Sequence, residues 1–111
     1  MHTLKNASEI DSIFKEGMRA TGSVVTLIAR RTPEVSGREG RVLFVAGKRL
    51  GGAVVRNRSK RVLREATRRS GGPWAGWDVV VMARPTTSTA SPTELDRALR
   101  SGLSRVGVSR A

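Results

Sequence analysis

Between Lys48 and Arg69 the chain places nine of its 21 basic residues. The stretch reads Lys48-Arg49-Leu50-Gly51-Gly52-Ala53-Val54-Val55-Arg56-Asn57-Arg58-Ser59-Lys60-Arg61-Val62-Leu63-Arg64-Glu65-Ala66-Thr67-Arg68-Arg69. Such residues bind anions: Lys and Arg neutralise phosphates with release of counterions, and the planar fork of Arg can also grip a phosphate with two bonds or stack on a base. Wound as a helix at about 100° per residue from Val55, the residues Val62, Val55, Ala66, Ser59 and Leu63 fall within about 100° of arc and form the expected buried stripe. Arg56, Lys60, Arg64, Asn57, Arg68 and Arg61 take the opposite arc, with Arg58 and Arg69 flanking the buried edge. Like charges four residues apart repel by a few tenths of a kcal/mol each. A face that only solubilises the helix would alternate signs, and here only Glu65 intervenes. The pattern points to a polyanion. A helix that reads base edges mixes Asn, Gln and Ser with Arg, whereas this one is nearly all cation and suits a phosphate backbone. The residues leave DNA and RNA equally open.

Other chemistries lack their parts. There is no cysteine, and the single histidine, His2, stands near the N-terminus. No paired carboxylates occur in a motif, so neither a general base nor a metal cage is expected.

Around the basic stretch the chain supplies alternating elements. Asn6-Ala7-Ser8-Glu9 reads as a capped helix start, Ile10, Ile13 and Phe14 follow at helical spacing, and Gly17 stops it. Val24–Ala29 is β-branched and continuous enough for a strand, and Arg41–Ala46 for another. Arg30–Gly40, with Pro33, Gly37 and Gly40, reads as a solvated loop. Gly51-Gly52 opens the basic helix over 53–70, which Gly71-Gly72-Pro73 ends. Asp78–Ala83 is apolar enough for a strand buried on both faces, and Trp74 and Trp77 are expected to anchor it. Pro85–Ser91 reads as a Thr/Ser-rich linker. Ser91-Pro92-Thr93-Glu94 then combines a Ser cap, Pro at the first helical position and Glu at the third. Leu95, Ala98, Leu99, Gly102, Leu103 and Val106 make that last helix amphipathic, and its Arg97, Arg100, Arg105 and Arg110 are read as solvated.

Length and charge bound the whole. At 111 residues and 38% apolar content, one domain spanning 1–111 with one thin core is expected. A net charge of +12 and a pI of about 11.9 again favour a polyanion. No apolar run approaches a membrane span and the first residues lack the apolar stretch of a signal peptide, so a cytoplasmic location is expected.

The segment Lys48-Arg49, Gly51 and Ala53-Val54-Val55-Arg56-Asn57-Arg58-Ser59-Lys60-Arg61-Val62-Leu63-Arg64-Glu65-Ala66 resembles the signature of the protein subunit of bacterial ribonuclease P. The likeness extends to Phe14-Lys15-x-Gly17, to the strands before the motif, to Asp78–Arg84 and to the last helix, covering most of residues 4–106. It implies an α+β fold, a single-domain α/β sandwich ordered α-β-β-β-α-β-α. Its four-stranded sheet would include Met18–Ala20 as first strand and a left-handed β-α-β crossover. It also implies that the protein binds a catalytic RNA and that the complex removes the 5′ leader from precursor tRNA. Catalysis would then lie with the RNA and its Mg²⁺, with no cofactor held by the protein alone, and the protein would be a monomer in the complex.

Carried over by position, the RNA-binding set is Arg56, Asn57, Arg58, Lys60, Arg61, Arg64, Arg68, Lys48 and Arg49, and the leader cleft is lined by Phe14, Lys15, Ile10 and Ile28. Arg19, Arg30 and Arg31 are more distant candidates. Ile10 and Ile28 stand where the family often carries aromatics, Ser59 where an aliphatic residue is common, and Thr67 where Phe is common. Size and pI alone would also suit a ribosomal or other structural RNA-binding protein.

Overall fold

A computed structural model describes residues 7–32 and 39–108. The expected cap at Asn6, His2 and the centre of the loop with Pro33 and Gly37 lie outside the described residues. The elements are α1 (Ala7–Glu16), β1 (Met18–Ala20), β2 (Val25–Arg31), β3 (Arg41–Val45), α2 (Ala53–Arg69), β4 (Trp77–Ala83) and α3 (Pro92–Arg105). Single 3-10 turns at Lys48–Leu50 and Thr87–Thr89 flank α2 and α3.

The four strands form one sheet in the order β1-β2-β4-β3. β1 pairs antiparallel with β2, β2 antiparallel with β4, and β3 parallel with β4 across the α2 connection. β4 is therefore central, and Val79, Val80 and Val81 are all fully buried, as a strand covered on both faces requires.

Alternation of side chains sorts the two layers. Leu27, Ala29, Val42, Phe44, Val79 and Val81 face α2 and α3, meeting Leu63, Ala66, Leu95, Leu99 and Leu103. Ile28 and Val80 face α1 and close on Ile13. Close approach is bought by glycine at both layers. A Cβ on Gly17 would stand 2.6 Å from the Ile13 carbonyl oxygen and 2.7 Å from Ile28 Cγ2, and one on Gly102 would stand 2.6 Å from Leu27 Cδ1.

The last helix starts as its residues predict. The Ser91 hydroxyl accepts from Glu94 N–H at 3.1 Å, and the Glu94 carboxylate accepts from Ser91 N–H at 3.2 Å. The three-residue β1 forms the sheet edge beside β2, the first strand that the resemblance implied. Three expectations change. Arg30 and Arg31 belong to β2 rather than to the following loop. Val55, placed within the α2 stripe, is 36% exposed, while Ser59, Leu63, Ala66 and Thr67 are buried. Finally, 85–91 is no linker: Thr87 is fully buried and its hydroxyl donates to the Val24 carbonyl at 2.6 Å.

Candidate nucleic-acid interface

Because the α2 stripe extends to Thr67 and leaves out Val55, Arg56 and Lys60 move to its rim and become half-buried. Asn57, Arg61, Arg64 and Arg68 are exposed. The helix begins without a side-chain cap or any acid in its first turn, so its positive end adds to its cations. Arg64 lies over the Phe44 ring, 5.6 Å from the centroid, which directs this face toward the β3 edge. Among the described residues no ion pair engages Arg56, Lys60, Arg61, Arg64 or Arg68. Arg58 and Arg69 turn elsewhere: Arg58 Nε donates to the Ser88 carbonyl at 2.9 Å, and Arg69 pairs with Asp96.

The basic pair before the helix lines a cavity. Lys48 and Arg49, with Leu50 and Gly47, form one wall, Ala83, Arg84 and Pro85 the other, and Val45 and Met82 contribute apolar surface. Its volume is about 540 Å³, larger than the grooves of about 360 and 330 Å³ on the two flanks of α3. It opens where the parallel strands β3 and β4 end, a position where open sheets commonly take ligands. Leu43, Val45 and Met82 are half-buried and continue the apolar cluster under α1, together with Ile10. Phe14 is 36% exposed and Lys15 is exposed. The α1 face of the sheet thus offers an apolar strip that ends in a cavity with three cations around it.

Ile28 does not belong to that surface. It is fully buried between Ile13 and Val80, because α1 docks directly over it. Lining the cleft is therefore open to Ile10, Phe14 and Lys15 and closed to Ile28.

At the other end of the same face the charges are satisfied. Register places Arg30 on β2 and Arg41 on β3 on either side of Asp78 on β4. Asp78 has no exposure. It accepts from Arg41 Nε and Nη2 at 2.9 and 2.7 Å, from Arg30 Nε at 3.2 Å and from the Thr32 hydroxyl at 2.9 Å. Glu9 of α1 pairs with Arg41, and Glu9 and Glu16 approach Arg30 to 4.0 and 3.8 Å. Burial pushes the Asp78 carboxyl up, but hydrogen bonds from Arg41, Thr32 and Arg30 outweigh it and hold it below the usual carboxylate range. The Asp78 hydrogen bond, opposed by burial and aided by Glu9, raises the Arg41 guanidinium above its ordinary value.

These carboxylates do not suit a metal ion, since guanidinium groups already occupy their oxygens. Among the described residues no group of three or more His, Cys, Asp or Glu is placed to hold one.

With this geometry, the sequence model of the Ribonuclease P family matches residues 1–107. The chain belongs to the ribonuclease P protein family. The ribonuclease P protein component of Brevibacillus brevis is 33% identical over 96% of this chain and 84% of its own. That of Dehalococcoides mccartyi is 45% identical over 54% of this chain, a match that spans about half, 49%, of its length. The solved ribonuclease P protein of Thermotoga maritima superposes with a TM-score of 0.77 at 27% identity, covering 96% of this chain and 98% of that one.

Within this member of the ribonuclease P protein family, Arg84 is the cavity cation that sequence reasoning passed over. Its signal was available: a lone cation directly after a strand buried on both faces. The roles of Arg30 and Arg41 were not available, because their partner Asp78 lies 48 and 37 residues away. Arg31 covers the half-buried Trp77 ring at 4.6 Å, and Trp74 is buried, so both tryptophans serve β4 and its approach. Among the described residues no helix is long and apolar enough to cross a membrane.

Proposed function

We propose that this protein is the RNA-binding subunit of ribonuclease P, acting with a catalytic RNA in removal of the 5′ leader from precursor tRNA. The observation that carries the reading is the contrast in pairing on one small molecule. Arg30 and Arg41 are saturated by carboxylates, whereas Arg56, Lys60, Arg61, Arg64 and Arg68 of α2 and the Lys48, Arg49 and Arg84 rim have no ion pair among the described residues. Family membership supplies the nature of the polyanion.

In this reading α2 takes RNA phosphates through Arg56, Lys60, Arg61, Arg64 and Arg68, with Asn57 as an amide donor. The single-stranded leader lies on the apolar strip beside Phe14, Lys15 and Ile10 and ends in the cavity, where Lys48, Arg49 and Arg84 meet its phosphates. A base stacked on an exposed aromatic such as Phe14 contributes about 1–3 kcal/mol in single-strand binders. The chemistry at the scissile bond, with its Mg²⁺, belongs to the RNA subunit. The protein neutralises charge and orients the leader as a monomer in a cytoplasmic complex.

The test is reconstitution. Added to a catalytic ribonuclease P RNA, the protein restores leader cleavage at a Mg²⁺ concentration too low for the RNA alone, and it cleaves nothing by itself. Absence of rescue at every Mg²⁺ concentration, together with stoichiometric recovery of the protein in purified ribosomes, would overturn the reading.

A further inference from the structure

The Thr/Ser-rich stretch after β4 contains a clamp whose parts converge on one wall of the basic cavity. The Thr87 hydroxyl is fully buried and doubly engaged: it donates to the Val24 carbonyl at 2.6 Å and accepts from Arg84 N–H at 2.7 Å. Thr87 N–H donates back to the Arg84 carbonyl at 2.9 Å, closing the Arg84–Thr87 turn from both sides. The Thr86 hydroxyl donates to the Ser23 carbonyl at 2.6 Å, so the turn is tied to the start of β2. On its other side the Ser88 carbonyl accepts from Arg58 Nε at 2.9 Å. The wall made by Ala83, Arg84 and Pro85 is thereby connected through Thr87 to Val24, just before β2, and through Arg58 to α2.

We propose that Thr87 is a positioning residue for the cavity, fixing the Arg84 wall against the Lys48–Leu50 wall, and that Arg58 couples this wall to α2. Thr87 is fully buried and stands behind the residues that line the cavity. Its effect on binding passes through Arg84. Arg58 differs from its neighbours Arg56 and Lys60 in having a structural partner as well as its cationic charge. The proposal rests on the reading that the cavity takes the leader strand.

The experiment uses the full chain reconstituted with a catalytic ribonuclease P RNA. It compares affinity for a precursor tRNA whose leader is long enough to cross the cavity with affinity for the matched transcript without a leader. The ratio is the gain due to the leader. Thr87→Val keeps the side-chain shape and removes the hydroxyl. It should lower the gain about three- to tenfold, the range of one or two net hydrogen bonds, and leave leaderless affinity unchanged. Thr87→Ser should retain the gain. Arg84→Ala should lose it, and Thr87→Val should add less than about twofold in the Arg84→Ala background, because residues acting through one another are not additive. Arg58→Gln, which leaves the buried hydroxyl intact, should lower the gain in the same direction and serves if Thr87→Val does not fold. Equal losses on both transcripts, a Thr87→Ser variant as impaired as Thr87→Val, or additive losses in the double variant overturn the proposal. A wild-type protein that gains nothing from the leader overturns the ribonuclease P reading of the cavity instead. Amide exchange at Arg84 then still decides the clamp: faster exchange in Thr87→Val supports it, and unchanged exchange overturns it.

Discussion

Arg41 and Arg64 are the same residue type on adjacent elements of one small protein, and they stand in opposite electrostatic conditions. Arg41, with Arg30, faces three carboxylates at a closed end of the sheet. Arg64 is exposed on α2 among cations with no acidic partner in reach among the described residues, resting on the Phe44 ring. Taking Asp78 out of water costs several kcal/mol, and charge-assisted hydrogen bonds from two guanidiniums and a hydroxyl offset it. Among the described residues no ion pair offers a comparable offset to Arg56, Lys60, Arg61, Arg64 and Arg68, whose like charges repel until an external anion arrives. Net charge is therefore a poor measure of binding capacity. What matters is which cations the fold has already satisfied.

The comparison breaks most sharply at Asp78. Asp78→Asn should cost about 3–5 kcal/mol in thermal or denaturant unfolding, since it removes the buried charge that Arg30 and Arg41 share and leaves these half-buried guanidiniums only Glu9 and Glu16. Arg64→Ala should change stability by less than about 0.5 kcal/mol. Equal losses would erase the distinction between the two regions. The opposite test is binding: Arg56→Ala, Lys60→Ala and Arg64→Ala should each lower the slope of log affinity against log salt by about one, read in RNA titrations at several salt concentrations. A slope that does not move would mean that this face is only solvated. Phe14→Ala sharpens the α1 side of the strip. It should reduce affinity for a single-stranded leader by about 1–3 kcal/mol while melting stays near that of the parent, because the ring is already partly exposed. The smallest effect is the acid limb. Asp78 has a lowered folded-state pKa, so its contribution is present above the ordinary carboxylate range, near 3.9, and is lost as pH falls through the folded value beneath it. A melting profile from neutral to strongly acidic pH should drop at that limb for the parent and less for Asp78→Asn.

Much of this was legible locally. The Ser91–Glu94 box, the doubly buried Val79–Val81 run and the cationic face of α2 each follow from residues within a few positions of one another. The remainder depended on partners remote in sequence. Three residues at Met18–Ala20 carry no periodicity, so only family resemblance marked them as a strand. Ile28 alternates with its neighbours like any strand residue, and its face is closed by α1, whose docking no local pattern reveals. Thr and Ser at 85–91 share the composition of a flexible linker. The Thr86 and Thr87 hydroxyls are ordered by the Ser23 and Val24 carbonyls, 63 residues away. Val55 erred by a modest rotation, because Thr67 joins the α2 stripe as a buried position.

The placement of Asp78 also bears on how the chain avoids wrong folds. β4 pairs on both sides, antiparallel with β2 and parallel with β3, and its apolar residues alone would accept a shift by one position. Such a slip exchanges the two faces of a strand. It would thrust the carboxylate into the greasy layer of Leu63, Ala66 and Leu99, away from the guanidiniums of Arg30 and Arg41. A mispaired sheet would thus carry a naked buried charge, and the one acidic side chain in this strand raises the energy of the alternatives as well as steadying the native pairing.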